Sequence, residues 1–429
     1  MPGSGRQLVG TPDGIGSWGG GRYMNSYVNH EISLSSGGSY VSKFVIDTKT
    51  GMIIYHEYTI DQQYNRLCSA SWQDAGDGFP GGYFFTGEES SDGIQLAIDA
   101  QGNVTEMPWV GYYAHEQQIS VPGFNGKTVI ANFDDDGTSG PDLSTEDAES
   151  ELYMYVASNS WGALTGEGQL YVFTSDEAGN VGDMSIGGLE SITGEWIPVP
   201  EDVALNLNGD VDGKPELDSW VDDPAHDAFD FTRLEDGFYD KVSAREGGDP
   251  AMYFFDTGDP TLGDADYWDY WGAIYRMEWQ DPKDPTGPTT LSLLARSEGP
   301  GSGWASPDNG DMNADGGIML QEDRAASGWT RDEAHIYAFQ RASDGSLMNT
   351  AGQLIATTNG SDCLDDTPGV SCWETSGIED ASKWFGSNSW IFDVQSKTLP
   401  PELAEACPEC IVNGQLLIMK VGGEFGFDN

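Results

Sequence analysis

The sequence predicts an all-β chain folded as one β-propeller of about six blades with long loop insertions. Three observations lead there. Helical periodicity is nearly absent, short apolar or aromatic runs recur between Gly, Asp, Asn and Pro turns, and 429 residues suit about six four-stranded blades with inserts. The runs begin with "YVSKFVI" (40–46), "MIIYHEY" (52–58), "GGYFFTG" (81–87), "IQLAID" (94–99), "TVIANF" (128–133), "LYMYVA" (152–157) and "QLYVFT" (169–174). They resume with "AMYFFDT" (251–257), "AIYRMEW" (273–279), "TTLSLLA" (289–295), "GGIMLQED" (316–323), "HIYAFQ" (335–340), "SWIFDV" (389–394) and "QLLIMKV" (415–421). Between the two sets, 197–250 is polar and rich in Asp and Pro, and reads as an insertion in a single domain spanning 1–429. No clean repeat of fixed period assigns the blade boundaries.

Charge dominates the composition: 71 Asp and Glu against 19 Lys and Arg, a formal net charge of -52. Such a surface repels nucleic acid and anionic membranes, which excludes both as partners. The acids form no block, and 14 Trp, 18 Tyr and 17 Phe are spread along the chain, so this is not a disordered acidic tail. Adaptation to high salt and coordination of divalent cations both fit. No apolar run reaches the roughly 18 residues of a membrane-spanning helix. No signal-peptide pattern opens the chain, so any export signal is expected to have been removed or to lie outside the sequence.

Of five cysteines, Cys407 and Cys410 form "CPEC", and Cys363 and Cys372 bracket a Gly/Pro/Asp-rich loop. Two local disulfides, with Cys68 left over, are preferred to a zinc site because the 372-to-407 spacing is long. Disulfides place the chain in an oxidising compartment: secreted, periplasmic or at the cell surface.

Two stretches match calcium loops. "DMNADGGIMLQED" (311–323) has Asp311, Asn313, Asp315, Gly316 and Glu322 in EF-hand positions, but an apolar strand-like run and a loop flank it where helices are required. The weaker match, Asn208, Asp210, Asp212 and Gly213, has Ser219 in the twelfth position. It reads equally well as a solvated acidic loop.

Acidic motifs at strand ends are the main functional signal: Glu31 in "VNHEI", Glu88 and Glu89 in "TGEESSDG", His115 and Glu116 in "YAHEQQ", Asp134–Asp136 in "NFDDDG", Arg233, Glu235 and Asp236 in "TRLEDG", Asp308 and Asn309 in "SPDNGD", and Glu322 and Asp323 in "LQEDRA". In a propeller such ends converge on the axis, where carboxylates need a cation or an arginine. Clustered carboxylates suit Ca²⁺, which takes 6–8 oxygens. The competing reading is a set of ordinary exposed turns.

The order of these motifs, together with "PDGIGSW", "SYVSKFVID", "RLCSAS", "SELYMYVASN", "WGAIYRMEW" and "AHIYAFQRASDGSL", resembles the PhoX-type alkaline phosphatase family and related secreted calcium-binding β-propeller proteins, from about residue 11 to 420. The resemblance implies a six-bladed propeller with an axial calcium cluster and, in the phosphatases proper, iron. Carried over by motif, it implies metal ligands at Glu88 or Glu89, Glu116, Glu235, Glu322 and Asp323, and at Glu31, Asp135 and Asp308. The family carries a Cys immediately before the paired glutamates as an iron ligand. Here that position is Gly87, and Cys68 lies in a different motif, so calcium is expected and iron is not.

As an enzyme the chain would hydrolyse phosphoesters with adjacent divalent cations. Arg233 or Arg324 would grip a phosphate oxygen, unless each is a salt-bridge partner of its acidic neighbours. His115 would be general acid or a brace for Glu116, and His30 shares that ambiguity. No GxSxG elbow or Cys–His pair supplies a nucleophile. The rival from another class is a non-catalytic, calcium-stabilised extracellular propeller that self-associates in a surface layer or filament. Carbohydrate binding by aromatics such as "DADYWDYWG" (264–272) is a third reading.

Overall fold

The structure, a computed structural model, describes residues 10–135, 150–175, 190–259 except 212, 224 and 227, 269–323, 333–358, 373–396 and 413–422. Blade one is β1 (Pro12–Gly20), β2 (Tyr23–His30), β3 (Tyr40–Asp47) and β4 (Met52–Asp61), an antiparallel meander. Blade two is β5 (Leu67–Gln73), β6 (Tyr83–Glu88), β7 (Gln95–Asp99) and β8 (Val104–Glu106). Blade three is β9 (His115–Ser120), β10 (Thr128–Asp134), β11 (Ser150–Ala157) and β12 (Gly168–Thr174). After it, β13 (Ser191–Pro198) pairs with β12 through its second half.

The two-residue β14 (Asp230–Phe231) pairs with β11. Blade four is β15 (Leu234–Tyr239), β16 (Ala251–Asp256), β17 (Ala273–Trp279) and β18 (Thr289–Arg296). The first half of β13 pairs with β18, so blades three and four share one continuous sheet at their outer edges. Blade five is β19 (Pro307–Met312), β20 (Gly317–Glu322), β21 (His335–Gln340) and β22 (Gln353–Thr357). Blade six has three described strands, β23 (Trp373–Asp380), β24 (Ser389–Ser396) and β25 (Asn413–Lys420). The described helices are short: α1 (Ser160–Leu164), α2 (Glu201–Ala204), α3 (Glu216–Val221), α4 (Lys241–Glu246) and α5 (Ser382–Phe385).

The ring closes through the inner strands, each of which packs on the next in the order β1, β5, β9, β15, β19, β23 and back to β1. Sheets standing side by side bury a face on each neighbour, and six apolar clusters fill six interfaces. Between blades three and four, for instance, Phe133, Phe254, Tyr275, Trp196 and Trp279 are packed together, with the two indoles parallel at 6.0 Å. The all-β propeller read from the runs is the observed fold. The stretch 197–250, read as an insertion, holds α2, α3 and β14 but also β15, the inner strand of blade four. The paired cysteines 363, 372, 407 and 410 lie outside the described residues.

The EF-hand-like stretch is a hairpin. Asp311 and Asn313 sit beside the β19–β20 turn and Glu322 at its far end, so the pattern does not gather them around one ion. Asn313 Oδ1 accepts the N–H groups of Asp315 and Gly317, and Asp311 holds the Lys241 ammonium at 2.7 and 2.9 Å.

Candidate metal centre

Each inner strand breaks register once. The irregularity lies between Pro12 and Ile15 in β1, Leu67 and Ala70 in β5, Leu234 and Gly237 in β15, and Pro307 and Gly310 in β19. In β9 it falls opposite the Asn132–Asp134 step, and in β23 between Ser376 and Ile378. A bulge sets extra residues against its partner strand and re-aims their side chains. Here the re-aimed residues are Asp13, Cys68, Glu116, Glu235 and Asp308, with Ser376 in the same place in blade six.

These side chains converge. Ligand atoms of Asp13, Glu31 and Cys68 lie within 4.8 Å of one another, as do those of Cys68, Glu89 and Glu116, and those of Glu116, Glu235 and Asp308. Because Cys68 and Glu116 each belong to two groups, the three form one continuous band. The Cys68 thiol donates to Glu89 Oε2 at 2.6 Å.

A second layer comes from the residue just beyond each second strand. The Glu31 N–H donates to Thr11 O, Glu89 to Arg66 O, Asp135 to Ala114 O, Thr257 to Arg233 O and Asp323 to Ser306 O, all at 2.9–3.0 Å. The same bond in five blades places Glu31, Glu89, Asp135 and Asp323 at equivalent positions. Thr11, Arg66 and Ser306 adopt left-handed backbone with φ of 49, 48 and 43°. For non-glycine residues this costs about 1–2 kcal/mol each. The fold tolerates that strain at the position that sets the layer.

Two guanidiniums reach the band. Arg66 pairs with Glu31 at 2.6 Å and Glu89 at 2.7 Å, and Arg233 pairs with Asp135 at 2.6 Å and Glu235 at 3.4 Å. Both side chains are partly exposed, which marks the mouth of the site. Among the described residues, these two arginines are the cationic side chains paired within the group Asp13, Glu31, Glu89, Glu116, Asp135, Glu235 and Asp308, which leaves a surplus of negative charge. Burial accordingly pushes the carboxyls of Asp13, Glu89, Glu116, Glu235 and Asp308 well above the usual range, with their acidic neighbours adding to the effect. Burial, then Glu116 and Glu31, pushes the Cys68 thiol up as well. In blade six neither carboxylate oxygen of the buried Asp393 has a hydrogen-bond partner among the described residues, and Asp13 and Glu374 raise its pKa further beyond the effect of burial. Oxygen-rich donors with one thiol fit hard cations such as Ca²⁺ together with a softer transition ion.

Beneath the band a hydrogen-bonded belt crosses the axis. Ser69 Oγ donates to Glu116 Oε1 (2.6 Å), Asn309 Nδ2 to Ser69 Oγ (2.7 Å), and Ser376 Oγ and Gly377 N–H donate to Asn309 Oδ1 (3.0 and 2.9 Å).

Of the residues singled out in the sequence, the structure brings together Glu31, Glu89, Glu116, Asp135, Glu235 and Asp308, with Arg233 beside them and Asp323 at the equivalent second-layer position. It does not bring in Glu88 or Glu322. Successive strand residues face opposite ways, and these carboxylates bind backbone instead: Glu88 accepts Asn65 N–H at 2.8 Å, and Glu322 accepts Ala305 and His335 N–H at 2.8 and 2.9 Å. His115 is also held away, with Nε2 3.2 Å from Gly111 O and its ring 3.8 Å from that of Tyr113; burial lowers its pKa to about 3. His30 is engaged by Ser42 and Gly10. Arg324 lies outside the described residues.

Sequence reasoning missed Asp13, Arg66 and above all Cys68. The Gly87 departure has a steric reason: a Cβ there would lie 2.3 Å from His115 Cβ. No side chain fits, and the thiol reaches the band from the neighbouring strand. The signal was present as two short repeats, Arg-Leu-Cys (66–68) with Arg-Leu-Glu (233–235), and Pro-Asp at 12–13 and 307–308.

No protein-family model matches the sequence, and no curated protein matches it. Among solved structures, the chain is similar to Pseudomonas fluorescens PhoX in complex with vanadate, at 13% identity and TM-score 0.62, covering 96% of this chain and 88% of that one. It also overlaps a luciferin-regenerating enzyme (8% identity, TM-score 0.45, 97% and 94% covered) and a subtype N11 neuraminidase-like protein from a flat-faced bat isolate (10%, 0.40, 98% and 89%). The likeness to PhoX establishes a shared propeller fold.

Glu116→Gln is expected to lower metal occupancy, measured by element-resolved mass spectrometry, whereas Glu322→Gln lowers stability by about 1–3 kcal/mol with occupancy unchanged. Gly87→Cys is expected to destabilise the fold by about 1–3 kcal/mol in urea titration and to add no metal. Folded carboxyl pKa values above the unfolded ones give stability that is present below about pH 4 and lost as pH rises through the raised values. Chelated protein is therefore expected to melt progressively lower toward neutral pH. Glu235→Gln flattens that slope, and added calcium reverses it.

Proposed function

We propose that the chain is a metal-dependent phosphoester hydrolase of the PhoX kind, acting at the mouth of the axial band. The observation that carries this reading is the Cys68–Glu89–Glu116 group flanked by two arginines. The ions would be held by Asp13, Glu31, Cys68, Glu89, Glu116, Glu235 and Asp308. Calcium suits the carboxylate positions, and iron is again admissible because a thiol is present after all. Bound there, they would supply Lewis acidity toward phosphoryl oxygens and lower the pKa of water.

The chain's own residues do the rest. The raised pKa values mean that Cys68 and the carboxyls must give up protons as cations enter, so loading is coupled to proton release. Arg66 and Arg233 hold two flanks of the band. Their planar forks can exchange a carboxylate for a phosphate oxygen without losing paired geometry. The solved PhoX structure holds vanadate, called there a transition state analogue, which supports a phosphoester as substrate class. A secreted, periplasmic or surface location goes with this reading.

One observation favours the structural alternative: both arginines are already committed to carboxylates, as they would be in a calcium-locked, self-associating propeller. The assay is hydrolysis of p-nitrophenyl phosphate by protein supplied with calcium and iron. The expected result is turnover, with kcat/KM reduced roughly tenfold to hundredfold in Arg66→Ala and Arg233→Ala. Calcium-dependent stability without hydrolysis of any phosphomonoester would assign the band to structure.

A further inference from the structure

The far side of the hydrogen-bonded belt holds a second feature, independent of the phosphatase reading. Below Ser69 and Asn309 the inner strands of all six blades line a cavity of about 250 Å³, reached from the face opposite the acidic band. It is amphipathic: Trp72, Ile119 and Phe238 contribute one kind of wall, and Tyr239, Asp311 and Glu379 the other.

Two polar atoms of its lining residues are buried without a hydrogen-bond partner among the described residues, Glu379 Oε2 and Trp384 Nε1. Glu379 Oε1 already accepts the Ser17 N–H at 3.1 Å, so Oε2 is the oxygen left over. A buried unpaired donor or acceptor is costly, and a ligand that pairs with it recovers that cost. Of the two lysines in the lining, Lys241 is engaged, with Asp311 taking its Nζ through both oxygens, and Lys383 is exposed with its Nζ 5.1 Å from the Trp384 ring centroid. Burial, opposed by Ser17 and aided by Asp311, pushes Glu379 up to about 8. The carboxyl thus keeps its proton near neutrality and offers a cation little.

With Oε1 accepting from Ser17, the retained proton sits on Oε2, so the two orphans are a carboxyl O–H and an indole N–H, both able to donate. A cation would meet two donors, and an anion would face the acidic neighbours Asp74, Asp311 and Asp380 in the same lining. A hydroxyl both donates and accepts, and satisfies either atom. The size is below the roughly 300–1,000 Å³ of sites for drug-sized ligands. We propose that this cavity binds a neutral polyhydroxyl ligand of monosaccharide size, whose hydroxyls pair with Glu379 Oε2 and the Trp384 indole N–H.

The test is saturation-transfer NMR on the full chain with glucose, galactose, mannose, N-acetylglucosamine and myo-inositol, and with tetramethylammonium as the cationic probe. At least one neutral probe is expected to bind. Trp384→Phe and Glu379→Leu should each weaken it about tenfold, while Glu379→Gln, which keeps both a donor and an acceptor, retains it. Thermal melts identify any variant that fails to fold, and either of the two loss variants suffices. The proposal is overturned if no neutral probe binds, if only tetramethylammonium does, or if binding to folded Trp384→Phe and Glu379→Leu equals that of the wild type.

Discussion

The structure depends on how a propeller tolerates buried negative charge on its own axis. Several carboxylates, mutually within a few ångströms and largely removed from water, repel one another at a desolvation cost of several kcal/mol for each ionised group. Among the described residues two arginines offset part of this and protonation offsets more, as the raised pKa of Glu116, Glu235 and Asp308 shows. Cations held at the band would remove the remainder. Apolar packing between blades supplies the stability against which this strain is held: six aromatic-rich clusters, one at each interface, surround an axis built of acids.

Precise placement comes from backbone irregularity. A regular strand would alternate its side chains between two blade interfaces and send none to the centre. The single bulge in each inner strand turns one residue inward, and the residue beyond the second strand, tied by a repeated N–H···O=C bond, supplies the outer layer. Arg66 and Arg233 occupy the same position in blades two and four, immediately before the bulge, so both cations and both ligand layers follow one pseudo-symmetric rule.

The fold was legible in the sequence because apolar runs separated by turn residues carry a strand signal wherever they fall. Much of the site was legible too: Glu116, Glu235 and Asp308 stand in short acidic motifs at strand starts. What spacing cannot give is direction. Glu88 and Glu89 are adjacent, as are Glu322 and Asp323, yet the first of each pair is spent on backbone N–H groups. Cys68 was discounted because it belongs to a different motif from the paired glutamates, although β5 and β6 are hydrogen-bonded neighbours in one blade. The Arg-Leu-x repeat was the available clue, and uneven blade lengths hid it from any search for a fixed period.

The proposed axial band would be a mixed site, with oxygen donors for hard cations and one thiol for a softer ion. Its most direct test is the element-resolved metal content of desalted wild-type protein beside that of Cys68→Ser. Calcium is expected in both, and a thiophilic transition metal, such as iron, in the wild type alone. Wild-type protein that retains no metal, or a Cys68→Ser variant with the same metal content, would contradict it.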